Sequence, residues 1–369
     1  MKVRKRYLAG VVVILSVGGG IALAAPAPFA PVSTTFSKAA QFAGYGMNYA
    51  TTGASQVQGD SGGATGYDCS AVNTTSSNAA LTVPAGATPV SAMLYWVGLE
   101  RNDLRGYTTE TLLDPAVKLT RSNGSSTVVP SGRRMVASGT TNGKPIQYGA
   151  YEADITSIIG SSMADTYNVA ITGGIAGLCS EAGENARAWQ LVVIYQLPSP
   201  DYSIVHVYDG LEYLQNQTRS IAISGFTARS DVDSTLTAFV VQGDSTIPGE
   251  YATSSDTSFP DFPVNFAHES VNGSAISANG QAIDIATLTG RLTAGATSMT
   301  LDFGTRGDII VPTTFILKLA STPPAPPPPT TTTTAVATTV PPTTVPPTTV
   351  APTTTVAPTT TTTMQLPLT

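Results

Sequence analysis

Between about Phe36 and Ala320 the apolar residues fall into short alternating runs, with turn residues between them. Alternation of period two, bounded by Gly, Pro, Asn and Ser, is the pattern of half-buried strands and leaves few windows for a helix. Ala79 to Val83, Val90 to Leu99, Thr166 to Thr172, Ala188 to Tyr195 and Ser203 to Tyr208 read as strands. So do Ile221 to Thr227, Thr235 to Val241, Ser298 to Phe303 and Ile309 to Leu319. Pro84-Ala85-Gly86, Asn123-Gly124, Asn142-Gly143 and Asn279-Gly280 supply turns of suitable chemistry. Ala153 to Ile159 can make one short helical turn. The expectation is an all-β fold: one or two antiparallel β-sandwich domains followed by a disordered Thr/Pro-rich tail. Length leaves the domain count open. Leu197-Pro198-Ser199-Pro200 is the best internal boundary, because its prolines interrupt both ladder and helix. It separates a first domain at residues 36–198 from a second at 199–320.

The first 24 residues have the order of an export signal. Lys2, Arg4, Lys5 and Arg6 form a basic start, Leu8 to Ala24 an apolar stretch, and Ala22-Leu23-Ala24 a small-residue cleavage site. The rival is an uncleaved anchor, since the stretch approaches a short span; Gly18-Gly19-Gly20 disfavours a stable helix there. Cleavage removes four of the 18 basic residues against 24 acidic ones, taking the net charge from −6 to about −10. That balance argues against nucleic acid and against anionic lipid as partners, and the mature form is expected to lack a membrane span. Charged residues are only 11% of the chain, which suits an extracellular β protein with a hydroxyl-rich surface.

From Ser321 the composition changes abruptly. Pro323 to Pro329 leads into threonine runs broken by Val340-Pro341-Pro342, Val345-Pro346-Pro347 and Ala351-Pro352. A segment with no charge, no aromatic residue and no long apolar run cannot repay its ordering entropy by burial, so residues 321–365 are expected to stay extended. At about 3.1 Å per residue such a spacer reaches roughly 130 Å, enough to cross a thick cell wall. Its threonines are candidate sites for O-linked sugar.

Leu366-Pro367-Leu368-Thr369 resembles the Leu-Pro-x-Thr part of the sorting signal of actinobacterial cell-wall-anchored proteins. That resemblance implies sortase and peptidoglycan as partners if the chain continues past Thr369. In the folded region, Ser76 to Ala87 leading into Ala92-Met93-Leu94-Tyr95-Trp96-Val97-Gly98 resembles a recurrent module of secreted bacterial surface proteins. In that module a Leu-Pro-Ala-Gly-Ala segment precedes a Leu-Tyr-Trp-Gly strand. The likeness continues through Ala188 to Tyr195, Val207 to Leu211, Ala282 to Ile285, Ala294 to Ser298 and Gly307-Asp308. Here Val83 precedes Pro84, and Val97 separates Trp96 from Gly98. The resemblance implies a β-sandwich surface protein and no particular chemistry.

Cys69 and Cys179 are the two cysteines, and an even pair in an exported chain points to one disulfide. Closing a loop of about 110 residues would stabilise the fold by roughly 4–5 kcal/mol in the chain-entropy description. Gly59-Asp60-Ser61-Gly62-Gly63 matches the serine-protease nucleophile motif, but the histidines, His206 and His268, both follow it, the wrong order for that family. His206 alternates within Ile204 to Tyr208 and so faces away from Val205 and Val207. Asp231, Asp233, Asp256 to Asp261 and Asp308 could offer calcium its oxygen ligands, although no EF-hand or nine-residue repeat is present. Glu181 and Glu184 with Asp209 can be read as a glycosidase acid pair. Lys318, in an apolar terminal strand, is a candidate for an isopeptide crosslink.

Trp96 and Trp189 read as core residues. The expected function is structural or adhesive, without catalysis and without a cofactor, on an extracellular ligand that the sequence does not identify. The alternatives are a carbohydrate-binding surface module, with Tyr95, Trp96 or Tyr208 exposed in a row, and a secreted hydrolase.

Overall fold

A computed structural model describes residues 35–56, 76–175, 186–241, 249–262, 270–271, 274–275, 283–307 and 309–324. The strands run in chain order as β1 (Ser37–Tyr45), β2 (Met47–Ser55), β3 (Ser77–Leu81), β4 (Thr88–Asn102), β5 (Ala116–Arg121), β6 (Ser126–Pro130) and β7 (Arg133–Thr141). Next come β8 (Lys144–Asp154), the single-turn helix α1 (Thr156–Ile159), β9 (Asp165–Ala170), β10 (Arg187–Gln196), β11 (Tyr202–Asp209), β12 (Leu214–Gln215) and β13 (Thr218–Ser224). The series closes with β14 (Ser234–Val241), β15 (Tyr251–Ser254), β16 (Ser270–Val271), β17 (Ser274–Ala275), β18 (Ile283–Gly290), β19 (Ser298–Gly304) and β20 (Ile309–Ala320).

These strands build four sheets. Sheet I has the order β3-β9-β5-β6, and sheet II the order β2-β10-β4-β8-β7. Sheet III runs β1-β11-β20-β14-β18-β16-β17, with β12 also on β20, and sheet IV runs β13-β19-β15. Pairing is antiparallel except for the single β16–β18 contact. Three apolar cores lie between successive sheets, so the layers stack in the order I, II, III, IV. The fold is thus all-β and built of stacked antiparallel sandwiches.

The stacking explains why the strongest strands do not alternate apolar with polar. β4 sends Met93, Tyr95, Val97 and Leu99 into the II/III core. Its other face gives Ala92, Leu94 and Trp96 to the I/II core. β10 divides the same way, with Val192 and Ile194 on one side and Trp189, Leu191 and Val193 on the other. In sheet III, Val205 and Val207 of β11 face sheet II while Ile204 and Tyr208 face sheet IV. A strand buried on both faces reads as a continuous apolar run.

The chain crosses between sheets II and III twice at one place. Gly46 turns β1 into β2 at φ 67°, and a Cβ there would lie 1.8 Å from the Leu197 carbonyl oxygen. Its amide donates to the Asp201 carbonyl at 2.7 Å, and the Leu197 amide donates to the Gly46 carbonyl at 2.9 Å. The second crossing, from β10 to β11, therefore runs through the Leu197–Pro200 segment against the first. β1 lies within residues 36–198 of the sequence but pairs with β11 in sheet III, from Ser37 opposite Asp209 to Tyr45 opposite Tyr202.

Candidate functional site

The central II/III layer holds the densest polar network. Arg133 on β7 pairs with Glu152 on β8 at 2.8 Å and with Asp209 on β11, so one guanidinium bridges the two sheets. The Tyr95 hydroxyl on β4 donates to Asp209 Oδ2 at 3.3 Å. Burial raises the Tyr95 phenol well above its ordinary value, and the neighbouring Asp209 charge adds to the effect, so it stays a donor. Further along, Thr314 Oγ1 donates to Gln190 Oε1 at 2.7 Å, and Gln190 Nε2 donates to Thr51 Oγ1 at 3.0 Å. The Tyr49 and Thr237 hydroxyls meet at 2.8 Å, and Thr237 meets Thr287 at 2.8 Å. Tyr213, after β11, lays its ring where a Cβ of Gly139 on β7 would be, and shares a 2.7 Å hydrogen bond with Thr141.

A second charged cluster faces sheet I. The buried Glu100 carboxylate pairs with Arg134 and accepts from the Leu113 amide at 3.1 Å and Gln147 Nε2 at 3.2 Å. Burial raises the Glu100 pKa, and Arg134 opposes that rise. Gly149 lies against the carboxylate, since a Cβ there would sit 2.2 Å from Oε1. Arg187, at the start of β10, differs from both other arginines. It is 8% exposed, its Nη2 donates to the Gly173 carbonyl at 2.7 Å, and no carboxylate among the described residues pairs with it.

The chemistry these clusters support is electrostatic tying. An acid–base pair needs two groups whose environments separate their pKa values, whereas Asp209 and Glu152 are both paired with one guanidinium, that of Arg133.

The structure places the residues singled out from sequence as follows. Cys69, Cys179, Glu181, Glu184, the Gly59–Gly63 motif, His268, Asp308 and Leu366 to Thr369 lie outside the described residues. Asp231 accepts from Arg229 at 3.0 and 2.7 Å, and Asp233 from Arg291 at 3.0 Å. Among the described residues no group of three or more His, Cys, Asp and Glu is placed to hold a metal. Asp256 caps a turn, accepting from the Ser258 and Thr293 amides at 3.0 and 2.9 Å. Lys318 is partly buried, which lowers its pKa.

The expectation that Tyr95, Trp96 or Tyr208 forms an exposed row is corrected: all three are buried, because both faces of β4 and β11 are covered by neighbouring sheets. Trp96 and Trp189 are core residues, with their indole N–H groups donating to the Asp114 carbonyl at 3.2 Å and to Ser77 Oγ at 2.9 Å. His206 faces away from Val205 and Val207 and is fully buried; its ring is parallel to Tyr208 at 6.0 Å, and neither nitrogen has a hydrogen-bond partner among the described residues. The arginines were not singled out from sequence, and their only signal was scarcity in a chain with few charges.

No family model matches the chain, and no curated protein matches it. Among solved structures, a protein of Parabacteroides distasonis inferred to be secreted is similar at 9% identity, covering 79% of this chain and 99% of that one. The TM-score of 0.18 is too low for that likeness to carry an argument. No helix among the described residues is long and apolar enough to cross a membrane.

Proposed function

We propose that this chain is an exported bacterial surface protein whose stacked β head is displayed on a Thr/Pro stalk and has a structural or adhesive role. The observation that carries the reading is how the head uses its scarce charges. Glu100, Glu152, Asp209 and Glu212 are each held by an arginine, and three of the four lie within or beside the layers between sheets. Charges committed to ion pairs, with Arg133–Asp209 joining sheet II to sheet III, suit a rigid display platform better than an acid–base site, where at least one group must stay poised to exchange a proton. The basic and apolar leader, the uncharged tail and the Leu366 to Thr369 motif support export and wall attachment. Sortase and peptidoglycan are the proposed partners at the tail, and an extracellular ligand the partner of the head.

Fractionation of the producing cell tests this. The expected result is protein that protease removes from intact cells, lacks residues 1–24, and leaves the wall only after muralytic digestion. Recovery from the cytosol with the leader intact overturns the reading, and recovery from the medium alone removes the wall partners.

A further inference from the structure

We propose that the outer edge of β7 is a pairing surface for a second copy of this chain, the two β7 strands running antiparallel about a two-fold axis. As the identity of the head's partner this rests on the adhesive reading above; as a contact between two purified copies it does not. β7 ends sheet II, with β8 on one side and no described strand on the other. Its register fixes which backbone groups point outward. Asn142 and Gly143, at φ 50° and 73°, form a two-residue turn that makes Thr141 and Lys144 a hydrogen-bonded pair. Such pairs recur at every second residue, so Gly139, Ala137 and Met135 direct their N–H and C=O groups at β8. Pro145, which has no N–H, falls opposite Thr140, in the alternate phase that asks nothing of it. Arg134, Val136, Ser138 and Thr140 therefore point their backbone groups away from the sheet. Among the described residues only the Thr140 carbonyl meets a donor, the Tyr213 hydroxyl at 3.4 Å.

An open strand edge is a template for another chain, and folds blunt it with short strands, bulges, proline or cover. The other edges show these devices. β3 and β6 have five residues each and β15 has four. β6 also ends on Pro130, which has no N–H to offer. β1 carries a register shift between the exposed Lys38 and Ala40. β2, the opposite edge of sheet II, is buried from Thr52 to Ser55, with β16 and β18 packed against it. β13 comes nearest to an open edge, with seven residues, and the Tyr208 hydroxyl reaches its Ala222 carbonyl at 3.5 Å. β7 has nine residues, no proline and no register shift against β8, and its Ser138 and Thr140 are exposed.

A second β7 fits this edge. Outward residues spaced by two are self-complementary about a two-fold axis at Ala137. Arg134 of one copy then lies opposite Thr140 of the other, and Val136 opposite Ser138, each pair exchanging two hydrogen bonds. The central pairs are small and uncharged. Arg133 and Arg134 of the two copies fall at opposite ends, so like charges stay apart, and each is already held by a carboxylate of its own copy. A contact one strand wide is weak in solution, while many copies on facing surfaces add up through avidity.

The test follows the full chain by sedimentation and by amide hydrogen exchange across a concentration series. The expected result is a monomer–dimer equilibrium in which exchange at Val136 and Ser138 slows as the dimer forms. Ser138→Pro removes an outward N–H without touching the β8 ladder. It should weaken the dimer at least about tenfold while Tm at low concentration stays close to that of the wild type. A monomer at every concentration up to about 1 mM overturns the proposal. A dimer that leaves β7 exchange unchanged, or one as tight in Ser138→Pro as in the wild type, overturns it by placing the contact elsewhere. Slow exchange of both amides already in the monomer overturns it as well, because the chain then covers this edge itself. If Ser138→Pro does not fold, the wild-type exchange decides. Recovery of the chain from the cytosol defeats the adhesive reading and leaves the dimer of purified copies standing.

Discussion

The outer I/II layer and the central II/III layer both close around apolar residues, yet they treat polar atoms differently. In the outer layer, beside the Glu100–Arg134 cluster, three polar contacts hang from aromatic tips. The Trp96 and Trp189 indoles and the Tyr151 hydroxyl donate outward to backbone or serine at 2.9–3.2 Å. The rings do the packing, and the hydrogen bond only finishes them. In the central layer, side chains of one sheet bond side chains of the next: Arg133 to Asp209, Gln190 to Thr314, Tyr49 to Thr237. Sheet faces of smooth Val and Ile can slide over one another at little cost. Paired polar groups cannot, because each displaced pair leaves a buried atom unsatisfied. The contrast suggests that aromatic burial holds each sandwich together, while polar pairing fixes how the two sandwiches dock.

The largest effect should come from the outer layer. Trp189→Ala empties a fully buried indole site and should cost about 3–5 kcal/mol in denaturant unfolding; a loss under 1 kcal/mol would break the contrast. Asp209→Ala in the central layer should cost about 3 kcal/mol, near the lower end for a broken buried pair because Arg133 keeps Glu152. The same change should loosen docking, read as faster amide exchange in β11 and β7.

His206 tests whether the outer III/IV layer tolerates a polar group without a tie. Burial lowers its pKa from 6.5 to about 4. As pH falls below 6.5 the unfolded chain takes the proton first, so stability should decline toward pH 4 and then level, by about 3 kcal/mol in all. His206→Phe should remove that slope, and an unchanged slope would assign the acid sensitivity to other groups.

Smaller still, Gln190→Leu or Thr314→Val alone should cost about 1–3 kcal/mol, and the double variant less than either, since no buried partner is then stranded. At the bottom, Arg291→Ala breaks an exposed pair with Asp233 and should leave Tm unchanged within error.

The strands legible from sequence were those with a strong apolar signal, among them β4, β10, β11, β14 and β20. The edge strands β3 and β13 were also found, but β1 and β7 were not. β1 (Ser-Lys-Ala-Ala-Gln-Phe-Ala-Gly-Tyr) and β7 (Arg-Arg-Met-Val-Ala-Ser-Gly-Thr-Thr) carry few β-branched or aromatic residues, and they are strands because a neighbour offers them a ladder. The fourfold stacking was hidden for a related reason. Runs such as Met93 to Leu99 are apolar on both faces, but a sequence does not say which sheet covers which face. Of the candidate site, Arg133, Arg134 and Glu100 gave no motif at all. Their significance lies in the pairs they form, and only placement reveals that.

The double crossing at Gly46 and Leu197 has a mechanical consequence. β1 and β20 flank β11 on opposite sides and run parallel to each other, so β1 begins beside Asp209 while β20 ends beside Ser203. Tension drawn between the start of β1 and the end of β20 would therefore pull along the strands. All the hydrogen bonds of both ladders would bear the load together, where a hairpin pulled from its open end gives way one rung at a time.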